Sequence, residues 1–391
     1  MESYVARVCA EVREARTWST ALGAELPKVV DSIYFGGGTP SLLEGDLFRR
    51  MFEVIRGEFA VDVAAEVTVE CAPGQMSDGT LAHLQREGVS RLSFGVQSFV
   101  DDECAAVGRS HTGADCRAEL RRMTAAGVER LAIDLIVGLP HQTESSLQYS
   151  IDEALASEVE HVSMYMLEVD EDSRLGKEAM AGGARYGAGQ LPGEDAVADW
   201  YETGCGRLEQ GGMRQYEISN FAREGGRSRH NCKYWERKPY VGFGLDAHSM
   251  LRADNGAVRW ANGDEMAGYV GDGLVQLPGV SGGLMPRVID RIGRREAFEE
   301  AMFLGLRMVA GVDLTVLRHG FGDVLVDEVS HTIADIEMAG LAERVGDRLR
   351  LTGRGRMASN EVFERLLLDR SEGDGSASPR KSKKEDGIVH D

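Results

Sequence analysis

The chain has 391 residues, of which 42% are hydrophobic, and a formal net charge of −20 at pH 7. This length allows one large globular domain plus a smaller one. The negative charge disfavours binding to nucleic acid or to an anionic membrane, because both would be repelled. No window approaches the roughly 20 apolar residues needed to span a bilayer, so stable membrane insertion is not expected.

Strand-like and helix-like patterns alternate through the first half of the chain. Apolar runs of strand length lie at 32–35, 66–69, 91–94, 132–137, 161–166 and 215–218. Amphipathic helical stretches lie between most of them, at 47–59, 78–87, 116–126 and 145–156. This alternation predicts βα units in one parallel sheet that is closed or partly closed into a barrel. In such sheets the ligand binds at the carboxyl ends of the strands.

The first unusual stretch, IYFGGGTPSLL at 33–43, places three glycines between a strand and a helix. Gly37 and Gly38 would let the backbone approach a ligand closely, and Thr39 could cap the helix or touch that ligand. A tight turn packed against a neighbouring loop explains the same pattern. The spacing matches neither the Walker nor the Rossmann glycine motif.

Polar side chains follow or lie within the next predicted strands. Glu70 ends one strand run, Gln97 follows the next, and Asp134 begins the third. Burying three such groups without partners would cost a few kcal/mol each, so a polar ligand at the barrel mouth is their natural partner. Arg109, in the stretch GRSHT, would either meet a carboxylate or bond loop carbonyls at the surface.

The stretch HNCKYW at 230–235 gathers a histidine and aromatic residues, and GFGLDAHS follows it. His230 with Tyr234 and Trp235 would suit a flat ligand that carries a metal, such as heme. A buried aromatic cluster with a hydrogen-bonded histidine is the alternative.

Six cysteines occur with no CxxC pair and no regular spacing, at Cys9, Cys71, Cys104, Cys116, Cys205 and Cys232. This pattern favours reduced thiols over a disulfide framework. It also offers no zinc or iron–sulfur motif.

The pattern becomes helical near residue 296 and polar after residue 368. We predict a barrel at 1–225, a region with the HNCKYW stretch and a connector at 226–295, a small helical or winged-helix-like domain at 296–368, and a disordered tail at 369–391.

These motifs, in this order, resemble the HemW-type heme chaperones of the radical SAM family, which are relatives of oxygen-independent coproporphyrinogen III oxidase. The resemblance extends from SIYFGGGTPSLL through DLIVGLPHQT and YEISNFA to LGLRMVAGVD. It implies an α/β fold, a partial (β/α)6 TIM-like radical-SAM barrel with a HemN-type C-terminal domain. It further implies S-adenosylmethionine binding, a 4Fe–4S cluster and heme. S-adenosylmethionine would be held by Gly37, Gly38, Thr39, Glu70, Gln97, Arg109 and Asp134, and heme by His230, Asn231, Tyr234 and Trp235.

The chain departs from this family in one large respect. The family carries CxxxCxxC after its first strand, whose thiolates hold the cluster, and this sequence has no such motif. Because Met1 falls inside what looks like the first helix of the barrel, we expect the first strand and the cluster loop to lie upstream of it. A descendant without a cluster is the alternative. Smaller departures are Ala72 for a usual Asn and Asp246 for a usual Gly.

Three functions remain open at this stage. The first is a heme chaperone that passes heme to client proteins, and HNCKYW with GFGLDAHS favours it because that pattern belongs to the chaperone branch. The others are a coproporphyrinogen oxidase, whose activity we do not expect here, and a cluster-free binding protein. A homodimer is left open. The default compartment is the cytoplasm, and a mitochondrial or plastid location would follow from an upstream targeting segment.

Overall fold

The structure of the protein is a computed structural model that describes residues 1–169, 173–183, 185–254, 256–271 and 288–368. The tail predicted at 369–391 lies outside the described residues. The chain forms two compact units. The first contains Met1–Arg13, Pro27–Phe35 and Thr39–Cys232, and the second contains Glu14–Leu26, Gly36–Gly38 and the described residues from Lys233 onward.

One seven-stranded sheet organises the first unit. Its strands are β1 (Val29–Phe35), β2 (Ala60–Cys71), β3 (Arg91–Gln97), β4 (Arg130–Val137), β5 (His161–Met166), β6 (Arg214–Gln215) and β7 (Asn220–Ala222). The spatial order is β1-β2-β3-β4-β5-β7-β6, and β1 to β5 run parallel. This is the curled half-barrel sheet of a partial TIM-like fold, which confirms the predicted fold class.

Helices precede and connect these strands. They are α1 (Glu2–Ala21), α2 (Gly45–Glu58), α3 (Asp78–Arg86), α4 (Asp101–Ala106), α5 (Gly113–Ala125), α6 (Glu144–Ala156), α7 (Arg174–Met180), α8 (Glu194–Gln210) and α9 (Arg229–Trp235). Two of them begin with capping boxes, in which Thr112 accepts from the backbone N–H of Asp115 and Thr143 from that of Ser146. Because the Thr112 cap fixes the start of α5 at Gly113, this helix begins three residues before the predicted one.

The strand predicted at 215–218 is wrong. Only Gln215 belongs to β6, and the chain then reverses so that β6 and β7 form an antiparallel hairpin. The Glu217 side chain accepts from the backbone N–H of Ser219 at 3.0 Å, which stabilises the reversal. The sequence had indicated one parallel sheet. Because β7 is antiparallel to β5, the sheet is in fact mixed.

The two faces of the parallel strands differ in chemistry. On one face Phe35 contacts Phe48 and Phe52 of α2, so this is the face on which helices pack. It is apolar, and its buried residues include Val67, Val69, Leu92, Phe94, Ile133 and Val162. We call the opposite side the inner face. The strand registers place polar residues there, namely Ser32, Tyr34, Glu66, Thr68, Glu70, Arg91, Ser93, Asp134, His161, Ser163 and Asn220.

The second unit contains two small antiparallel sheets and a helical core. Its strands are β8 (His248–Ala253), β9 (Gly256–Ala261), β10 (Val288–Ile292), β11 (Val312–Asp313), β12 (Ala342–Val345) and β13 (Arg348–Leu351). Its helices are α10 (Met266–Val270), α11 (Arg294–Arg307), α12 (Leu314–Phe321), α13 (Asp323–Glu328), α14 (Ser330–Met338), α15 (Gly353–Met357) and α16 (Ser359–Arg365). An apolar core joins α11 to α14 and α16 with β11, β12 and β13. Among the described residues, no helix is long and apolar enough to cross a membrane.

Candidate functional site

The carboxyl end of the inner face carries a cluster of acids and tyrosines. Glu70 lies one residue before the end of β2, and its Oε1 accepts a hydrogen bond from the Tyr34 hydroxyl of β1 at 2.6 Å. Burial, together with the Glu70 and Asp134 carboxylates, raises the pKa of Tyr34 well above its usual range. The Tyr34 hydroxyl therefore stays protonated and remains a donor.

Asp134 of β4 belongs to the same cluster. Burial, followed by the nearby Asp134 carboxylate, raises the pKa of Tyr165 on β5, and Glu70 acts in the same direction. Glu70 and Asp134 thus both act on the same two tyrosines. Two carboxylates beside neutral hydroxyls form a surface that suits a polar ligand with positive charge.

Gln97 ends β3 in an unusual backbone conformation. Its φ of 64° is one that residues other than glycine rarely adopt, and its side chain is buried. The next residue, Ser98, donates to Glu103 Oε2 at 2.7 Å, and Gln142 Nε2 donates to the same oxygen at 3.2 Å. Glu103 therefore ties the loop after β3 to the loop after β4. Such strain held by a buried network is typical of functional loops.

Gly37 and Gly38 follow β1 and have φ values of 79° and 69°. Both are exposed, and a Cβ built on either would meet nothing within 4 Å. They need the left-handed conformation, and space remains for a ligand on the Cβ side. Thr39 precedes a short 3₁₀ helix, Pro40–Leu42, and its side chain makes no capping bond to it.

Arg109 lies in the loop between α4 and α5. It is half-buried, and its charge acts with burial to lower the pKa of His111. Its backbone N–H donates to Cys104 O at 3.0 Å. Its predicted role toward a ligand carboxylate stays a prediction.

The HNCKYW stretch forms the short helix α9. Within the first unit, His230 lies against β1: its Nδ1 is 3.0 Å from Ser32 Oγ, and its ring stacks on Tyr34 at 4.9 Å between centroids. Asn231 donates its backbone N–H to Ser228 Oγ at 3.2 Å. The imidazole therefore lies beside Tyr34, the donor to Glu70.

The last aromatic residues of this stretch belong to the second unit. Tyr234 packs edge to face with Tyr240 at 4.7 Å, and the Arg307 guanidinium lies 4.3 Å from the centre of a Trp235 ring. The buried Trp235 Nε1 has no hydrogen-bond partner among the described residues. A buried indole donor without a protein partner can donate to a polar group of a bound ligand.

The thiols do not fit a 4Fe–4S cluster. They lie on separate elements, and burial raises the pKa of Cys9, takes that of Cys71 well above its usual range, and raises those of Cys104 and Cys116 to about 11 and about 12. Cluster ligands are thiolates, which these environments disfavour. In the described ranges, no three His, Cys, Asp or Glu side chains are grouped to hold a metal ion.

Tyr34, Tyr165, Glu66 and Arg91 were not predicted from the sequence as site residues. A signal for them was present, because polar residues alternate with apolar ones in SIYF, EVTVE, RLSF and HVSMYM. Strands of a parallel sheet covered on both faces usually read as continuous apolar runs. The alternation therefore marked an inner face that is polar.

Comparison with protein families agrees with this geometry. Residues 13–154 match the Radical SAM superfamily, and residues 292–358 match the HemN C-terminal domain. The solved structure titled coproporphyrinogen III oxidase (HemN) from Escherichia coli covers 94% of this chain, and 83% of that chain is matched, with a TM-score of 0.74 and 20% identity. The half-barrel and its inner acids therefore belong to a radical SAM protein with a HemN-type C-terminal domain.

Curated relatives narrow this class. The heme chaperone HemW of Bacillus subtilis is 34% identical over 86% of this chain and 85% of its own length. That of Mycobacterium tuberculosis H37Rv is 32% identical over 90% of this chain and 86% of its own length. A mouse relative, radical S-adenosyl methionine domain-containing protein 1, mitochondrial, is 32% identical over 77% of this chain and 66% of its own length. The chain belongs to the HemW heme chaperone family.

Proposed function

We propose that this protein binds heme and delivers it to client proteins. The observation that carries the proposal is the 34% identity to a HemW heme chaperone across most of both chains. The placement of α9 supports it, because His230 is held in a defined orientation by Ser32 and Tyr34. An imidazole with one nitrogen hydrogen-bonded is the usual form of a metal-ligating histidine. The same HNCKYW stretch supplies Asn231, Tyr234 and Trp235 as further residues proposed for heme.

We further propose that the acidic end of the inner face binds S-adenosylmethionine. Glu70 and Asp134 would neutralise its positive sulfonium and amino groups, Gln97 would bond its polar edge, and Arg109 would pair with its carboxylate. Gly37, Gly38 and Thr39 would give backbone access to the methionyl end. Since the cysteines of this chain do not fit the cluster, the proposal includes neither radical chemistry nor coproporphyrinogen oxidation.

A heme titration of the purified chain tests the main proposal. We expect a Soret band that shifts and saturates on binding, and His230→Ala should weaken affinity about tenfold or more because an axial ligand is lost. His331→Ala is the matched control, since His331 is exposed on α14 of the second unit.

Two outcomes would count against parts of this proposal. If the wild-type chain binds no heme, the chaperone function fails. If His230→Ala leaves both the spectrum and the affinity unchanged, heme binding stands but the assignment of His230 fails.

A further inference from the structure

A buried ion pair lies on the inner face behind the acidic cluster. Arg91 of β3 donates from Nη2 to Glu66 Oε2 of β2 at 3.2 Å, and each side chain is about 2% exposed or less. A buried ion pair is costly to desolvate, and apolar residues of similar volume are often as stabilising. Its presence at this place therefore calls for a role other than stability alone.

The pair binds the chain just before the HNCKYW motif. Arg91 Nη2 also donates to the carbonyl oxygens of Gly226 and Arg227, at 3.0 and 3.1 Å. Glu66 Oε1 accepts from the backbone N–H of His230 at 3.0 Å and from Ser228 Oγ at 3.4 Å. The cation thus fixes one end of the segment 226–230, and the carboxylate fixes the other.

Neighbouring groups add to this attachment. Tyr216, whose hydroxyl is 2.8 Å from His161 Nε2, accepts from the backbone N–H of Ser228 at 3.4 Å. The Arg227 guanidinium lies over the Tyr216 ring at 5.5 Å. The segment is therefore held by side chains of β2, β3 and the β6–β7 turn, and His161 of β5 contacts the turn residue Tyr216.

The helix that follows is too short to hold its own orientation. Helix α9 has seven residues, and isolated helices shorter than about 12 residues are marginal in water. Its first-turn residue His230 is oriented by Ser32 and Tyr34 only while its backbone stays beside β1.

We propose that Glu66 and Arg91 are positioning residues that hold residues 226–231, and with them the His230 imidazole, against the inner face. This proposal rests on the proposed heme function. The pair sets the orientation of the His230 imidazole, on which heme affinity depends. The pair acts through His230 and does not itself touch heme.

The test is the double substitution Glu66→Met with Arg91→Met in the full chain. It removes both charges together, so no unpaired charge is buried and the fold should be retained. We expect amide hydrogen exchange in residues 226–231 to become about 10- to 100-fold faster, because bonds to charged groups are lost. Heme affinity should fall about tenfold.

The control is the equivalent substitution of an ion pair on the outer helix α5, Glu119→Met with Arg122→Met. Glu119 is also buried, and Arg122 likewise donates to a backbone carbonyl, that of Met76, at 2.6 Å. The control should leave both exchange in 226–231 and heme affinity at the wild-type level. If the variant Glu66→Met with Arg91→Met does not fold, Glu66→Gln with Arg91→Met replaces it, because this pair also removes both charges and keeps an amide in place of the carboxylate.

Unchanged exchange in 226–231 would overturn the proposal, as would faster exchange with unchanged heme affinity. Equally fast amide exchange in 226–231 of the control variant would overturn the proposal too, because any lost ion pair would then give the same effect. If the wild-type chain binds no heme, the proposed function fails separately, and the exchange measurement still decides whether the pair holds the segment.

Discussion

The inner face of the seven-stranded sheet and the core that joins α11 to α14 and α16 bury side chains of opposite character. The inner face buries charged and neutral polar groups, among them Glu66, Arg91 and His161. The C-terminal core is a cluster of buried hydrocarbon and thioether side chains, such as Phe298, Met302 and Ile336. The buried acid of α11, Glu300, lies in ion pairs with Arg237 and Arg259. Both regions belong to one chain of the same overall composition.

This difference separates residues that build the fold from residues that recognise a ligand. Burying an apolar side chain stabilises the folded state, by about 1.5 to 3 kcal/mol for a large one. Burying a polar group costs free energy unless it is bonded. The C-terminal core needs no further explanation, whereas the inner face is explained by binding and by the positioning of a bound group.

The largest effect on stability is expected in the C-terminal core. Phe298 is fully buried and packs edge to face with Phe321 at 5.7 Å. Phe298→Ala removes the ring and leaves a cavity, so the free energy of unfolding of this region should fall by about 3 to 5 kcal/mol. Urea denaturation followed by tryptophan fluorescence and circular dichroism measures the change.

The half-exposed Leu367 offers a control for that substitution, because Leu367→Ala should change stability by about 0.5 kcal/mol or less. Ligand binding by the folded Phe298→Ala protein should remain. A Phe298→Ala protein as stable as wild type would show that the core can collapse around the lost ring, and the contrast between the two regions would weaken.

The inner face should respond to pH where the apolar core does not. Burial, followed by the charge of Arg91, lowers the pKa of His161 to about 3 from 6.5. Below pH 6.5, His161 is therefore protonated in the unfolded chain and stays neutral in the folded chain. Stability is lost as pH falls from about 6.5 toward 3, by at most about 1.4 kcal/mol per pH unit from this group.

His161→Gln tests this contribution, since an amide can keep the bond to the Tyr216 hydroxyl without titrating. We expect the variant to lose stability less steeply than wild type between pH 6.5 and 4 in urea titrations. His331→Gln serves as the exposed control and should follow the wild-type curve. Parallel curves for wild type and His161→Gln would mean that His161 is not held neutral.

The fold was largely predictable because periodicity reports burial. The strand at 161–166 was predicted with its exact bounds, and the helices at 78–87 and 145–156 were within one residue at each end. The run at 215–218 misled because its apolar pattern resembles a strand, whereas Tyr216 and Glu217 turn to bond His161 and Ser219. Such a reversal depends on tertiary partners that a local pattern does not contain.

Candidate site residues near the carboxyl ends of strands were easier to recognise in the sequence than those at the strand starts. Glu70 and Asp134 stood out because polar residues ended or interrupted apolar runs, and both flank the same tyrosines. Glu66 and Arg91 looked like ordinary charges at strand starts. They pair with each other across 25 residues of sequence and with residues 226–230 across more than 130, which no local pattern shows.

The smallest effect on stability should accompany a large effect on binding, and Asp134→Asn is the variant that shows it. Removing one of two neighbouring carboxylates relieves repulsion, so stability should rise slightly, by about 0.5 kcal/mol or less. Affinity for S-adenosylmethionine should fall about 10- to 100-fold, because a charge-assisted contact is lost.

Isothermal titration with S-adenosylhomocysteine is the internal control: this ligand lacks the sulfonium charge, so its affinity should change less. Equal losses for both ligands would show that Asp134 does not recognise the sulfonium. Unchanged affinity for S-adenosylmethionine would remove Asp134 from the site, leaving the inner face polar for a reason other than this ligand.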